Sequence, residues 1–272
     1  MALSVVDLYK HVLPKTNCRD CGFASCLAFA SMVVSEMHPL SGCPHLDEET
    51  IKRCSAELLQ QYAEGKWLKR DMAADALKWA SEKAASMKLK DLPERIGGCL
   101  VETEGAISLE LPYFNGAIMI SQTDIKRKDG LDLNRWEKVF IYNHIAQGGR
   151  RMPVGRWVGL VEIPNTVSKM KSMVSHVEHP LIERFKGRVN ELKERASEIG
   201  GENIGEKIES ADAAILFQAL PRVPVRLLFW DEALNDGIEA AVKLSFDETI
   251  TEHLDIESIM FLSERLRRLL CE

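Results

Sequence analysis

Four cysteines fall in Thr16-Asn17-Cys18-Arg19-Asp20-Cys21-Gly22-Phe23-Ala24-Ser25-Cys26 and in Cys43-Pro44, the pattern C-x2-C-x4-C-x16-C. A segment that must gather these thiols can fold in few ways. Cys18 and Cys21 are close enough on a loop to bind one centre, and Gly22 tolerates the positive φ that turns the chain toward Cys26. Ser25 predicts the cap of a helix over residues 26–37. That puts Cys26 in a first turn, where free N–H groups and the helix dipole favour negative charge. His38-Pro39-Leu40-Ser41-Gly42 ends this helix and returns the chain to Cys43 as the distant fourth ligand, with Pro44 removing one backbone N–H behind it.

Cys18, Cys21, Cys26 and Cys43 are therefore the predicted ligands, and a 4Fe-4S cluster is the favoured cofactor. Zinc is the rival metal, but structural zinc sites pair two short Cys knuckles and only the first is present here. A disulfide framework is the third reading. It is opposed by the missing secretory n-region and h-region and by three further cysteines elsewhere in the chain.

Leu13-Pro14-Lys15-Thr16-Asn17-Cys18, Cys21-Gly22, Cys26-Leu27-Ala28-Phe29-Ala30 and Cys43-Pro44 resemble the N-terminal cluster module of the corrinoid iron-sulfur protein large subunit. The same residues are similar to the cluster segment of the Rnf complex B subunit. The resemblance implies that the four cysteines bind a 4Fe-4S cluster passing electrons at low potential, in the first family to cobalt. It covers about the first 50 residues, departs at Arg19-Asp20, and does not continue into the corrinoid protein's barrel. Further on, Phe140-Ile141-Tyr142-Asn143-His144, Gly155-Arg156-Trp157-Val158, Glu162-Ile163-Pro164, Leu228-Phe229-Trp230-Asp231, Leu244-Ser245-Phe246-Asp247 and His253-Leu254 resemble a prokaryotic family of domains of unknown function, often joined behind such a module. These residues are aromatic and turn-like, the signature of a fold rather than of catalysis.

With 272 residues and 46% hydrophobic content, the chain can build a small domain and a large one. A net charge of -6 argues against nucleic acid or an anionic membrane as partner, since phosphate binding needs clustered excess Lys and Arg. No apolar run reaches the length of a membrane span. Seven cysteines without an export signal point to a reducing cytoplasm, and the cluster chemistry extends this to an anaerobic cell.

The predicted fold class is α+β: a small helical iron-sulfur domain at 1–66, a helical connector at 67–91, and a larger domain at 92–272 of antiparallel sheet packed with helices. A short helix capped by Ser4 and stopped by Pro14 feeds the cysteine loop. Asp47 caps a helix whose apolar face is Ile51, Cys54, Leu58, Leu59 and Tyr62, which makes Cys54 a core thiol. After a break at Gly65-Lys66-Trp67, Asp71 opens an alanine-rich helix to residue 87 that carries Trp79 and reads as a close-packing connector. Strands follow at 98–103, 107–111 and 117–121, turned at Glu104-Gly105 and Asn115-Gly116, with Cys99 packed inside the first.

Asp132 is the expected cap of a helix over 133–147, a strand is expected at 157–163, and one long helix over 181–199. The last third predicts strands at 213–220, 223–230 and 238–246, a turn at Asp236-Gly237, and a closing helix at 256–270. Three minor candidates accompany the cysteines. Arg150, Arg151 and Arg156 could grip an anion, although a solvated connection is the simpler reading. Asp231, Glu232, Asp247 and Glu248, with His253 nearby, could do acid–base work, although turn-capping acids are commoner. His176 and His179 are too few for a metal site.

Two functions fit. In the first, the chain relays low-potential electrons through its cluster to a partner protein or metallocofactor, a corrinoid among them. In the second, the metal only staples a small module while the larger domain binds a ligand or partner. A reductase with its own active site among the C-terminal acids is a third reading, but no glycine-rich phosphate loop or nucleophile triad supports it.

Overall fold

The structure is a computed structural model that describes residues 3–66, 72–103, 105–122, 124–205, 208–232 and 239–272. The chain divides into two compact units, Met1–Asp75 and Ala76–Glu272. It is α+β, with a small helical region first and antiparallel sheets with helices in the later part.

The first unit is built on three helical segments. Helix α1 (Val5–Asp7) starts at Ser4, whose hydroxyl accepts from the Asp7 N–H at 3.2 Å while the Asp7 carboxylate accepts from the Ser4 N–H at 3.0 Å, and it runs on as a π turn over Leu8–Val12. Helices α2 (Cys26–Glu36) and α3 (Glu48–Ala63) start from Ser25 and Asp47, as expected. Their shared core holds Leu8, Leu13, Phe29, Val33, Leu40, Cys54 and Leu58. Cys54 is buried as anticipated, but Leu59 is 59% exposed. The stripe follows Ile51, Cys54 and Leu58 at helical spacing, and Leu59 lies a further 100° round the helix.

Helix α4 (Met72–Ala85) buries Ala80 and Ala84, but Trp79, expected in a close-packed connector, is 62% exposed, with Lys83 Nζ 5.3 Å from its ring centre. The expected break residue Trp67 and cap Asp71 lie outside the described residues. After α5 (Leu92–Ile96) come β1 (Cys99–Thr103), β2 (Ala106–Tyr113), β3 (Gly116–Ile120) and β4 (Ile125–Arg127). These form one antiparallel meander in the order β1-β2-β3-β4. Three readings change here. Tyr113 pairs with Gly116, so the turn is Phe114-Asn115, with Phe114 at φ 50°. Cys99 is exposed because β1 is the sheet edge. β4 has no counterpart among the expected strands, being only three residues long. Glu104, one half of the other expected turn, is outside the described residues.

Gly98 leads into β1 at φ 83°, and a Cβ placed there would lie 2.5 Å from the Glu110 carbonyl oxygen. Gly98→Ala therefore meets both left-handed strain and a backbone clash that no rotamer can relieve. It should cost about 2–3 kcal/mol, read as a lower urea midpoint, and a variant as stable as the parent would show that the β1–β2 pairing gives way freely.

Helix α6 (Arg135–Gln147) begins two residues later than predicted. Asn134 is the cap in place of Asp132: its Oδ1 accepts from the N–H groups of Trp136 at 2.9 Å and Glu137 at 3.0 Å. Strand β5 (Trp157–Gly159) stops early because the Glu162 carboxylate accepts from the Gly159 N–H at 2.6 Å and winds the chain into a 3-10 turn. Helices α7 (Val167–Met173), α8 (His179–Phe185) and α9 (Val189–Glu198) follow. The single helix expected over 181–199 is thus two, α8 and α9. They part at Gly187, which takes φ 70° and donates its N–H to the Asp231 carboxylate at 2.7 Å.

The second sheet takes β6 (Gly201–Asn203), β7 (Ala213–Leu220), β8 (Val223–Trp230) and β9 (Ala241–Asp247) in the antiparallel order β5-β9-β8-β7-β6. Helices α10 (Ile250–His253) and α11 (Ile256–Cys271) close the chain. Asp236, Gly237 and Ile238, at the predicted turn and start of the last strand, fall outside the described residues. Alternation along β7 divides the packing. Ala213, Ile215, Phe217 and Ala219 face the large core, while Ala214 joins Ala211 and Leu228 on the other side.

Candidate metal centre

The ligand loop is held by its backbone before any side chain acts. Lys15, Asn17 and Arg19 adopt left-handed conformations with φ 60°, 53° and 70°, and Gly22 follows at 81°. The Gly22 N–H donates to the Arg19 carbonyl at 2.8 Å, closing a tight turn between Cys18 and Cys26. Asn17 Oδ1 accepts from the Cys26 N–H at 2.8 Å, so it pins the loop to the first turn of α2 and satisfies one helix donor. Ser25 satisfies another by accepting from the Ala28 N–H at 3.1 Å.

Return of the chain to Cys43 is equally constrained. Met37 ends α2 at φ 56°, and a 3-10 turn over Leu40–Gly42 delivers Cys43, whose N–H donates to the Leu40 carbonyl at 3.1 Å. His38 stands edge-on to Phe23 and Phe29, with ring centres 5.1 and 5.7 Å away. Gly42 lies against this cluster: a Cβ there would come within 3.0 Å of the His38 imidazole. Phe23 from the ligand loop, Phe29 from α2 and His38 from the return thereby lock the two halves of the site together.

Cys21, Cys26 and Cys18 lie within electrostatic reach of Cys43, and the four thiols are graded in burial. Cys43 is 5% and Cys26 7% exposed, Cys21 is half-buried and Cys18 is exposed. Burial pushes the Cys43 thiol up, the His45 N–H opposes this, and the neighbouring Cys21, Cys26 and Cys18 push it up further. A set of four cysteine sulfurs is the donor chemistry that zinc or an iron-sulfur cluster takes, so the residues fit a metal or cluster. On the exposed side, His45 Nε2 lies 2.7 Å from Asp20 Oδ2. His45, and after it the Cys18 thiol, hold the Asp20 carboxyl below the usual carboxylate range. Ligand atoms of Cys18, Asp20 and His45 all lie within 4.8 Å of one another. Cysteine spacing does not single out Asn17, Asp20 or His45. The available signal is that each is adjacent to one of the four cysteines or one residue removed.

The minor candidates resolve as structure. Arg151 reaches Glu252 at 2.9 Å and Glu248 at 3.1 Å, Arg156 reaches Glu248 at 2.7 Å and Arg150 reaches Glu94 at 3.1 Å, so internal carboxylates occupy the arginine forks. Asp247 is buried and accepts from the N–H groups of Val154, Gly155 and Thr249 and from the Thr249 hydroxyl. Asp231 accepts from the Gly187 and Glu232 N–H groups. His176 is exposed beside Glu264, and His179 is exposed.

His253 is wholly buried with its ring centre 6.0 Å from His144, itself 0% exposed. His144 Nδ1 donates to the His253 carbonyl at 3.1 Å, and His253 Nε2 donates to the Arg151 carbonyl at 3.0 Å. Burial drives the His144 pKa down to about 4 and lowers that of His253. A histidine held neutral in the fold adds stability that is complete above its unfolded pKa near 6.5 and is lost as pH falls toward 4. Urea midpoints of the second unit should therefore drop between pH 7 and pH 4 by an amount equivalent to about 3 kcal/mol from His144. In His144→Gln that component should vanish, and an unchanged slope would remove His144 as its source.

Residues 88–268 match the family model described as domain of unknown function (DUF3786). Residues 13–45 match the model of an Fe-S cluster segment. The N-terminal part is also similar to the gamma subunit of the acetyl-CoA decarbonylase/synthase complex of Methanocaldococcus jannaschii, 34% identical over 21% of this chain and 12% of that protein. It is similar to the B subunit of the ion-translocating oxidoreductase complex of Methanosarcina acetivorans, 37% identical over 22% of this chain and 23% of that one. To the corrinoid/iron-sulfur protein large subunit of Moorella thermoacetica it is 42% identical over 18% of this chain and 10% of that one. The chain thus spans a quarter or less of the length of these curated relatives. No solved structure matches it. Among the described residues no helix is long and apolar enough to cross a membrane.

Proposed function

The chain belongs to the family described as a domain of unknown function (DUF3786), and from that premise we propose that its members with a cysteine module, this one included, act as iron-sulfur electron carriers. Cys18, Cys21, Cys26 and Cys43 hold a 4Fe-4S cluster in this reading. When bound, the cluster supplies reversible one-electron chemistry at a potential set by burial, hydrogen bonds and charge. The protein's own part is to hold two ligands in the core of the first unit, to present a third at the surface, and to aim the start of α2 at the anionic centre. The acceptor is a partner protein or a metallocofactor, of which the relatives' names suggest a corrinoid, in anaerobic metabolism.

The observation that carries the proposal is that three cysteines of one loop lie within electrostatic reach of Cys43, returned to them by the 3-10 turn, and that the four grade from buried to exposed. A purely electrostatic or packing role would not need an exposed ligand. Cys26 and Cys43 are also members of the apolar core, and this favours a second reading in which the metal is a structural staple.

Anaerobic purification with iron and sulfide quantified, followed by EPR before and after dithionite, separates the two readings. About four irons per chain and a paramagnetic reduced state support electron transfer. Zinc, or iron that no reductant changes, supports the staple, and metal removal should then unfold the first unit and leave the second standing.

A further inference from the structure

We propose that the exposed side of the cysteine loop is the docking surface for an acidic one-electron carrier protein; this rests on the electron-carrier reading above. Cys26 and Cys43 are enclosed, so the short path between the centre and a partner runs past Cys18. Around Cys18 the loop presents Lys15 and Arg19, both exposed, with Lys10 and His11 exposed at the end of the preceding helical turn. Lys15 Nζ donates to the Lys10 carbonyl at 3.0 Å, so the lysine folds back beside Lys10.

Two of these cations, Lys15 and Arg19, have no carboxylate ion pair among the described residues, while the Asp7 carboxyl, held down chiefly by Ser4, lies close enough to His11 and Lys10 for them to help. Among those residues Lys10, Lys15 and Arg19 form no ion pair within 4 Å of a carboxylate, whereas Arg127, Arg151, Arg184 and Arg265 all do. Asp7 is engaged by Ser4 at the helix cap, and Asp20 is engaged by His45. Lys15 and Arg19 are both held left-handed, at φ 60° and 70°, a conformation that non-glycine residues rarely adopt.

Charge decides what docks. The whole chain carries -6, so an acidic partner is repelled by most of the surface and attracted by this loop, which orients it with its own redox centre toward Cys18. In the transfer the carrier is oxidised by one electron and this chain is reduced by one, with no bond made or broken.

The test titrates the full chain, purified anaerobically, with a strongly acidic ferredoxin as probe and reads Kd by calorimetry at low and high salt. The charge-reversed pair K15E and R19E together should raise Kd about tenfold or more and abolish its salt dependence, while K126E, on the other unit, should leave it unchanged. Should the reversed pair lose metal, the neutral pair K15Q and R19Q gives the same comparison with a smaller rise. A Kd that neither salt nor these substitutions move overturns the docking surface, even where the centre is fully reducible. The expected Kd changes in a chain whose metal no reductant alters would keep the surface and overturn the electron-carrier reading.

Discussion

Cys43→Ser is expected to take the anaerobically purified protein from about four irons per chain to nearly none. Cys43 is 5% exposed, inside the core of the first unit, and its place is fixed by the 3-10 turn and the Gly42–His38 contact. A hydroxyl there is also costlier to bury than a thiol, so the first unit should lose stability together with its metal. Cys18→Ser should be milder. Asp20 and His45 offer ligand atoms within 4.8 Å of Cys18, so part of the iron should survive with an altered EPR signal. Cys54→Ser is the control: Cys54 is buried 1% exposed in α3, and its loss should cost about 1–2 kcal/mol while iron stays at the parental level. Iron retained in Cys43→Ser, or lost equally in Cys54→Ser, would sink the ligand assignment.

The path of the cysteine loop was legible because its turns and caps are local. Spacing, Gly22, Ser25 and Pro39 each act within a few residues, so loop, helix start and return could be read directly. Long-range partners were not. His45 meets Asp20 across 25 positions and Asn17 reaches Cys26 across nine, and nothing in the pattern marks either pair. In the second unit, alternation and turn residues were enough to locate β1, β2, β3, β7 and β8 and the closing helix. Where the structure departs from the sequence pattern, a side chain outcompetes propensity. Asn134 took the cap from Asp132, Glu162 wound up the end of β5, and Asp231 captured the Gly187 N–H and split α8 from α9. The arginine loop misleads for the same reason: its carboxylate partners, Glu94, Glu248 and Glu252, lie far along the chain.

One such long-range cluster should dominate the stability of the second unit. Glu137, 2% exposed on α6, sits 2.8 Å from Arg265 Nε on α11 and accepts from the Tyr113 hydroxyl of β2 at 2.8 Å and from the Asn134 N–H at 3.0 Å. It therefore joins a strand of the first sheet, the helix whose N-terminus it helps cap, and the closing helix. Burial, and after it the Glu137 charge, holds the Tyr113 hydroxyl well above the usual tyrosine range, so it stays a donor throughout. Glu137→Ala strands a partly buried guanidinium and a buried hydroxyl at once, and breaking a buried pair from one side costs about 3–5 kcal/mol. Glu137→Gln keeps an acceptor for Tyr113 and removes only the charge, so it should cost roughly half as much. Urea unfolding of the two variants measures the difference. Equal losses would mean that the ion pair adds nothing beyond the hydrogen bonds, and a loss below about 1 kcal/mol in Glu137→Ala would place the joint between α6, α11 and β2 in their apolar packing instead.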